Sequence, residues 1–128
     1  MSISFTVNED NPAFLRLSCS GTYTRDSLLS LFEQAIDIAT GKARKAVLIE
    51  IFDVAGAPVD VFERYELGAG AARIQREKRP LVALAVVGNE PAIHPTRIGE
   101  IVFNNRGGVG KVFTDLEEAV VWLEQGFG

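Results

Sequence analysis

Apolar positions recur at two spacings along this chain, every second residue in some segments and every third or fourth in others. Alternation predicts strands, and the wider spacing predicts amphipathic helices. Segments 3–7 and 14–20 predict two strands joined by the turn-rich NEDNP, and hence an antiparallel hairpin. Segment 46–51, AVLIEI, predicts a central strand. Segment 81–87, LVALAVV, is apolar throughout, as expected of a strand covered on both faces.

Helical spacing separates the later strands. The first helix is predicted to begin at Thr24 or Asp26, which can cap it, and to end at Gly41. A loop over 53–58, DVAGAP, leads into a second helix. Residues predicted to share one face of that helix are Phe62, Tyr65, Ala69 and Ala72. Gly68 and Gly70 lower its helix propensity, so we expect close packing against a neighbour there.

The last third of the chain predicts a helix, a short strand and a closing helix. The third helix runs from Pro95 or Thr96 to Asn104, and a strand over 111–113 follows a glycine turn. Thr114 and Glu117 have the spacing of a capping box for the closing helix. Its apolar stripe is Leu116, Ala119, Val120 and Leu123.

The order of elements is therefore ββαβαβαβα, which is an α/β arrangement. Each strand–helix–strand crossover should be right-handed and leave its strands parallel. We expect one domain over residues 1–128, built on a mixed, mostly parallel sheet whose first strand is antiparallel at an edge.

Composition narrows the classes of function. The formal charge of −4 and pI near 5.0 argue against non-specific binding of nucleic acid. The sequence contains no apolar run of the roughly 20 residues that a transmembrane helix needs, and its N-terminus lacks the pattern of a signal peptide. The lone Cys19 fits a reducing cytoplasm and alternates with Leu15 and Leu17, so we expect it to be buried.

The sequence predicts no catalytic constellation, metal site or cofactor. His94 is the one histidine, and no nucleophile adjoins it. Segment 106–111, RGGVGK, ends like a phosphate-binding P-loop but has Asn105 where that motif needs glycine and Val112 where it needs serine or threonine. An enzyme remains a third hypothesis, which would use Glu50, Asp53 or His94.

Two surfaces could bind a partner. Ligands of open α/β sheets favour the carboxyl ends of parallel strands. The residues we assign to a protein-binding site at that edge are Asp53, Val59, Asp60, Arg64, Asn89 and Glu90. A basic cluster at the ends of the first two helices could attract an anionic ligand; it comprises Lys42, Arg44, Lys45, Arg73, Arg76, Lys78 and Arg79.

Three segments resemble one family. AVLIEI followed by Asp53, the helix VDVFERYELG and above all RGGVGKVFTDLEEAVVWL resemble the STAS superfamily, specifically its SpoIIAA-like branch of small bacterial proteins. The resemblance implies helices packed mainly on one side of the sheet. It also implies kinship with anti-sigma-factor antagonists, in which a serine or threonine at the start of the second helix is phosphorylated. Residues 53–65 contain neither, so the usual phospho-switch is not expected, although Asp60 could supply a constant charge.

The leading hypothesis is therefore a non-enzymatic, cytoplasmic interaction module that binds a regulatory or signalling protein. The alternative is a small-ligand or lipid-binding protein, since STAS-like folds resemble the lipid-carrying SEC14 type in layout. Its pocket would lie between the second and third helices, lined by Phe62, Tyr65, Ile98, Val102 and Phe103. A homodimer could form through an edge strand or through Val121 and Trp122 of the last helix.

Overall fold

A computed structural model describes residues 3–56, 59–89, 92–93 and 96–127. The order of its strands and helices is the predicted one. In chain order they are β1 (Ile3–Asn8), β2 (Leu15–Thr22), α1 (Arg25–Gly41), β3 (Ala46–Ala55), α2 (Val61–Glu77), β4 (Ala83–Val87), α3 (Ile98–Asn105), β5 (Gly110–Phe113) and α4 (Leu116–Glu124).

The five strands form one sheet in the order β1-β2-β3-β4-β5. β1 is antiparallel to β2, and the remaining pairs are parallel, so the predicted mixed sheet with an antiparallel edge strand is confirmed. Because β2 to β5 lie side by side in chain order, crossovers of one hand put α1, α2 and α3 on the same face. α4 packs on the opposite face against β3, β4 and β5.

The central strand β3 is buried on both faces. Val47 and Ile49 point into the core beneath α1, α2 and α3, whereas Ala46 and Leu48 point into the core beneath α4. All four are 0% exposed. This explains why AVLIEI carries no polar alternation over its first four residues.

The face predicted for α2 is buried only in part, because Ala72 is 3% exposed whereas Phe62 and Tyr65 face solvent. Phe62 and Tyr65 are 77% and 46% exposed, while the helix buries Gly68, Gly70, Ala71, Ala72 and Gln75. The reason is the close approach of α3, because a methyl group at Gly68 would collide with the carbonyl oxygen of Gly99. The close packing predicted at the glycines is confirmed, and it leaves room for small residues only.

Gln75 fastens α2 to the sheet. Its side chain is 1% exposed, and its amide nitrogen donates to the carbonyl oxygens of Val82 (2.8 Å) and Val109 (2.9 Å). Its amide oxygen accepts from the Val109 N–H at 2.9 Å. Val82 precedes β4 and Val109 precedes β5, so one buried amide joins the helix to the entry points of two neighbouring strands.

Several boundaries differ from the prediction. β3 continues to Ala55, so Asp53 lies in a strand and not in a loop. Asp115, not Thr114, caps α4, because its side chain accepts from the Glu118 N–H at 3.0 Å. At α1 the cap is Thr24, one of the two predicted residues, and it forms a capping box with Ser27.

Cys19 is buried as predicted, at 5% exposure. Burial raises the pKa of its thiol to about 11, and the nearby charge of Glu50 adds to the rise. The thiol is therefore protonated at neutral pH and serves as a small apolar side chain.

Replacing Gln75 by leucine should destabilise the fold. The change leaves the Val109 N–H and the Val82 carbonyl oxygen without this buried partner, and each such loss costs about 1–3 kcal/mol. The Val109 carbonyl oxygen keeps the Leu84 N–H, at 3.1 Å. We expect urea unfolding to show a loss of at least about 2 kcal/mol. The matched control is Gln34→Leu on α1, whose amide bonds only to the exposed Ser30 hydroxyl. Equal stability of the two variants would contradict the role given to Gln75.

Cys19 should resist alkylation in the folded protein. The rise of the thiol pKa from 9.0 to about 11 on folding lowers the thiolate fraction at pH 8 about 100-fold. Iodoacetamide should therefore label the native protein at least about 100 times more slowly than the urea-unfolded chain. Because the pKa is raised on folding, stability should also fall as the pH rises from 9 towards 11. A Cys19→Ala variant should lose that part of the pH dependence.

Candidate functional site

A cavity of about 140 Å³ lies between the sheet and the three helices on its α1–α3 face. Its floor comes from β3, β4 and β5, and its walls come from all three helices and from the segments before α2 and α3. The apolar residues that line it are Leu28, Phe32, Ile51, Val59, Leu67, Gly68, Ala71, Leu84, Val86, Ala92, Ile93, Ile98, Gly99, Phe103, Gly110 and Val112.

The start of α2 is set by Asp60. This residue is the N-cap, and its side chain accepts from the Glu63 N–H at 2.8 Å. A carboxylate at this position satisfies a free amide and is favoured by the helix dipole. The cap fixes where the first turn begins, and thereby puts Val59 and Arg64 at the cavity wall.

Arg64 has an unusual environment for a charged residue. Its Nε atom is buried and has no hydrogen-bond partner among the described residues. It makes no ion pair there either. Its positive charge acts on Tyr23, whose pKa is raised by burial and lowered in part by Arg64. The site thus has an arginine without an ion pair beside an apolar cavity, and one of its guanidinium nitrogens is shielded from water.

Arg97 and Glu100 clamp the outer edge of β5. The Glu100 carboxylate accepts from the Val112 N–H at 2.5 Å, and Arg97 Nη1 donates to the Val112 carbonyl oxygen at 2.6 Å. The two side chains also lie within 4.0 Å of each other. Val112 would otherwise present a free N–H and C=O at the sheet edge, so the pair from the start of α3 takes the place of a neighbouring strand.

Exposed apolar side chains lie on the outer surface of α2 and α3. Val61, Phe62 and Tyr65 belong to the first turns of α2 and are 55%, 77% and 46% exposed; Ile101 on α3 is 52% exposed. Arg106, after α3, donates to the Tyr65 hydroxyl and lies 5.3 Å from the centre of its ring. The four residues Val61, Phe62, Tyr65 and Ile101 are called the apolar surface below.

Comparison with known proteins addresses the fold. No family model matches the sequence, and no curated protein matches it. A solved structure described as an uncharacterised protein of the DUF3478 family with a SpoIIAA-like fold, from Shewanella loihica PV-4, superposes with a TM-score of 0.50. The two share 16% identity, and the match covers 95% of this chain and 94% of the other.

This chain has a SpoIIAA-like fold. The five-stranded mixed sheet and the β–α order agree with that description. At this identity the likeness concerns architecture alone, so the chemistry of this SpoIIAA-like chain has to be argued from its own residues.

The residues predicted to line a ligand pocket are only partly brought together. Ile98 and Phe103 line the cavity, but Phe62, Tyr65 and Val102 do not. Phe62 and Tyr65 lie on the solvent side of α2, because Gly68 and Ala71 occupy its inner face. Those two aromatic residues contribute to the apolar surface instead.

The residues predicted to bind a protein lie in separate parts of the structure. Val59, Asp60 and Arg64 cluster at the start of α2. Asp53 lies in β3 opposite Ser20 of β2, and Asn89 is exposed just after β4. Glu90, like His94, is outside the described residues. What the sequence did not indicate is that Val59 and Arg64 adjoin one cavity, because the contact partners of a cavity wall are distant in sequence.

Glu50 and two residues of the basic cluster have ion-pair partners. Arg16 forms a bidentate ion pair with Glu50, which also accepts from the Ser18 hydroxyl at 3.2 Å. The Glu50 bond raises the pKa of Arg16 above its ordinary value. Within the basic cluster, Lys78 pairs with Asp37 at 3.0 Å and Lys42 with Glu9 at 3.2 Å.

The described residues also bear on metal binding and on membrane insertion. That part of the chain contains no group of three or more His, Cys, Asp or Glu side chains able to hold a metal ion. Nor does any helix there have the length and apolar character needed to cross a membrane.

Replacing Glu100 by leucine should open the β5 edge. Losing the acceptor of the Val112 N–H should cost about 1–3 kcal/mol of unfolding free energy. The unpaired edge should also promote self-association, visible as concentration-dependent sedimentation. Glu77→Leu, at an exposed position at the end of α2, is the control and should leave both properties nearly unchanged. A monomeric Glu100→Leu variant of full stability would contradict the clamp.

Proposed function

We propose that this chain is a non-enzymatic module that binds a regulatory protein through the start of α2 and the adjacent face of α3. The observation that carries the proposal is the apolar surface. Phe62, at 77% exposure, is the most exposed large apolar side chain among the described residues. Exposed apolar groups on neighbouring elements are characteristic of protein-binding sites.

The composition of the surface also supports protein binding. Aromatic residues and arginine are enriched where interfaces carry most of their energy. Here Phe62 and Tyr65 stand one helical turn apart, and Arg106 is already held over the Tyr65 ring. A partner would therefore meet a tyrosine whose position is restrained before binding, which lowers the entropic cost of association.

The module would work without the phospho-switch of the STAS proteins it resembles. The start of α2 has no serine or threonine over residues 53–65. Asp60 occupies the beginning of the helix and uses its carboxylate to cap it. Its charge is thus a permanent part of the helix start. We therefore expect that partner binding does not depend on phosphorylation at the start of α2.

The proposal also includes the absence of catalytic activity. Glu50, one of the three residues an enzyme hypothesis would use, is held by Arg16 and Ser18. Asp53 is exposed on β3. Neither carboxylate lines the cavity.

Replacing Val61 and Phe62 together by glutamine should abolish partner binding. Glutamine keeps a high helix propensity, so the fold should persist while the apolar contact is lost. A buried aromatic anchor contributes about 2 kcal/mol or more, which corresponds to at least about 30-fold in affinity. The measurement is affinity capture from the native host, with each captured protein quantified by mass spectrometry and each variant checked by circular dichroism.

The matched control for that experiment is Val121→Gln. Val121 is 44% exposed on α4, which packs on the opposite face of the sheet. It should capture the same partner as the unaltered chain. Equal capture by all three folded proteins would place the interface elsewhere and would refute the proposed site.

The cavity favours a second candidate function, the binding of a small and mainly apolar ligand. Its volume of about 140 Å³ is close to that of an engineered cavity of about 150 Å³ that binds benzene. Partly apolar pockets of this kind with a few placed polar groups are the usual form of small-molecule sites.

A further inference from the structure

The charged residues that line the cavity differ in whether they are already paired. They are Arg64, Arg97, Glu100 and Lys111. Arg97 and Glu100 are occupied by the Val112 backbone. Lys111 is exposed, with its Nζ 5.6 Å from the centre of the Phe113 ring. Arg64 is the one member of this set with a buried nitrogen that has no hydrogen-bond partner among the described residues.

An arginine at the wall of an apolar cavity, with no ion pair among the described residues, indicates the chemistry of a partner. A donor that lacks an acceptor destabilises the fold, and the effect is greater when the donor is charged. Guanidinium groups bind carboxylates through two parallel N–H···O bonds. Apart from the four charged residues, the cavity wall is apolar, so it suits an apolar ligand body.

We propose that the cavity binds a small apolar carboxylic acid, with the apolar body in the cavity and the carboxylate paired with Arg64. This inference rests on the second candidate function, the binding of a small apolar ligand, and gives that ligand a charge. The body is about the size of one aromatic ring or a short branched chain, because the cavity volume is about 140 Å³. Larger acids would have to extend out of its open side.

Three probes separate the contributions of body and charge. Phenylacetate supplies both, 2-phenylethanol supplies the body without the charge, and acetate supplies the charge without the body. Each is titrated into the full chain by calorimetry and by two-dimensional NMR. We expect phenylacetate to bind at least about tenfold more tightly than 2-phenylethanol and acetate to show no binding. Shifts should be centred on cavity residues such as Ile51, Val86 and Ala92.

The variants test Arg64 directly. Arg64→Met keeps an unbranched apolar stem and should weaken phenylacetate at least about tenfold while leaving 2-phenylethanol unchanged. Arg64→Lys should recover only part of the loss, since it lacks the planar pair of donors. The control is Arg73→Met, the same charge change at an exposed position of α2, which should bind both probes as the unaltered chain does.

Each other result overturns a defined part of the proposal. Equal binding of phenylacetate and 2-phenylethanol, or equal weakening by Arg64→Met and Arg73→Met, would refute the pairing with Arg64 and leave the apolar cavity site intact. Binding of neither probe to the unaltered chain would refute small-ligand binding as well. Shifts confined to residues outside the cavity would likewise overturn the proposed site.

Discussion

The buried amide of Gln75 is the interaction on which the position of α2 depends. α2 has little apolar surface of its own, because glycine and alanine make up most of its inner face. Hydrophobic burial alone therefore holds this helix weakly. The Gln75 side chain makes three hydrogen bonds, which connect the C-terminal half of α2 to the residues just before β4 and β5. At the other end, Asp60 defines where the helix begins.

The Gln75 hydrogen bonds and the Asp60 cap together fix the orientation of α2. Gly68 admits the backbone of α3 at close range, and the small residues around it leave space above the sheet. The same rotation of the helix that turns Gly68 inward turns Phe62 and Tyr65 outward. The cavity and the apolar surface are thus two results of one helix orientation, which explains why both lie at the same part of the molecule.

Most of the fold could be predicted from the sequence. The strands were readable because AVLIEI and LVALAVV are short apolar runs bounded by charge or by turns, and the predicted order led directly to the sheet. The face of α2 could not be read, because large apolar residues normally define the buried side and here they are exposed. The shape complementarity of Gly68 and Gly99, which reverses that rule, is a contact between residues 31 positions apart.

The candidate site could be predicted only in part, for a related reason. Arg64 was assigned to a binding surface from its position near the start of a helix, but its lack of a partner depends on every side chain around it. The structural roles of Gln75 and of the Arg97–Glu100 clamp could not be predicted from the sequence. A glutamine in a helix and an arginine–glutamate pair three residues apart are ordinary surface features, and only their distant backbone partners, Val82, Val109 and Val112, distinguish them.

The clamp on β5 connects Val112 to two elements, the sheet and α3. Val112 belongs to the sheet through its side chain and its neighbours, yet its N–H and C=O are bonded to side chains at the start of α3. Its amide hydrogen can exchange with solvent only after Glu100 has moved away. The exchange rate of that single hydrogen therefore reports how often the contact between the Glu100 side chain and the edge of β5 opens.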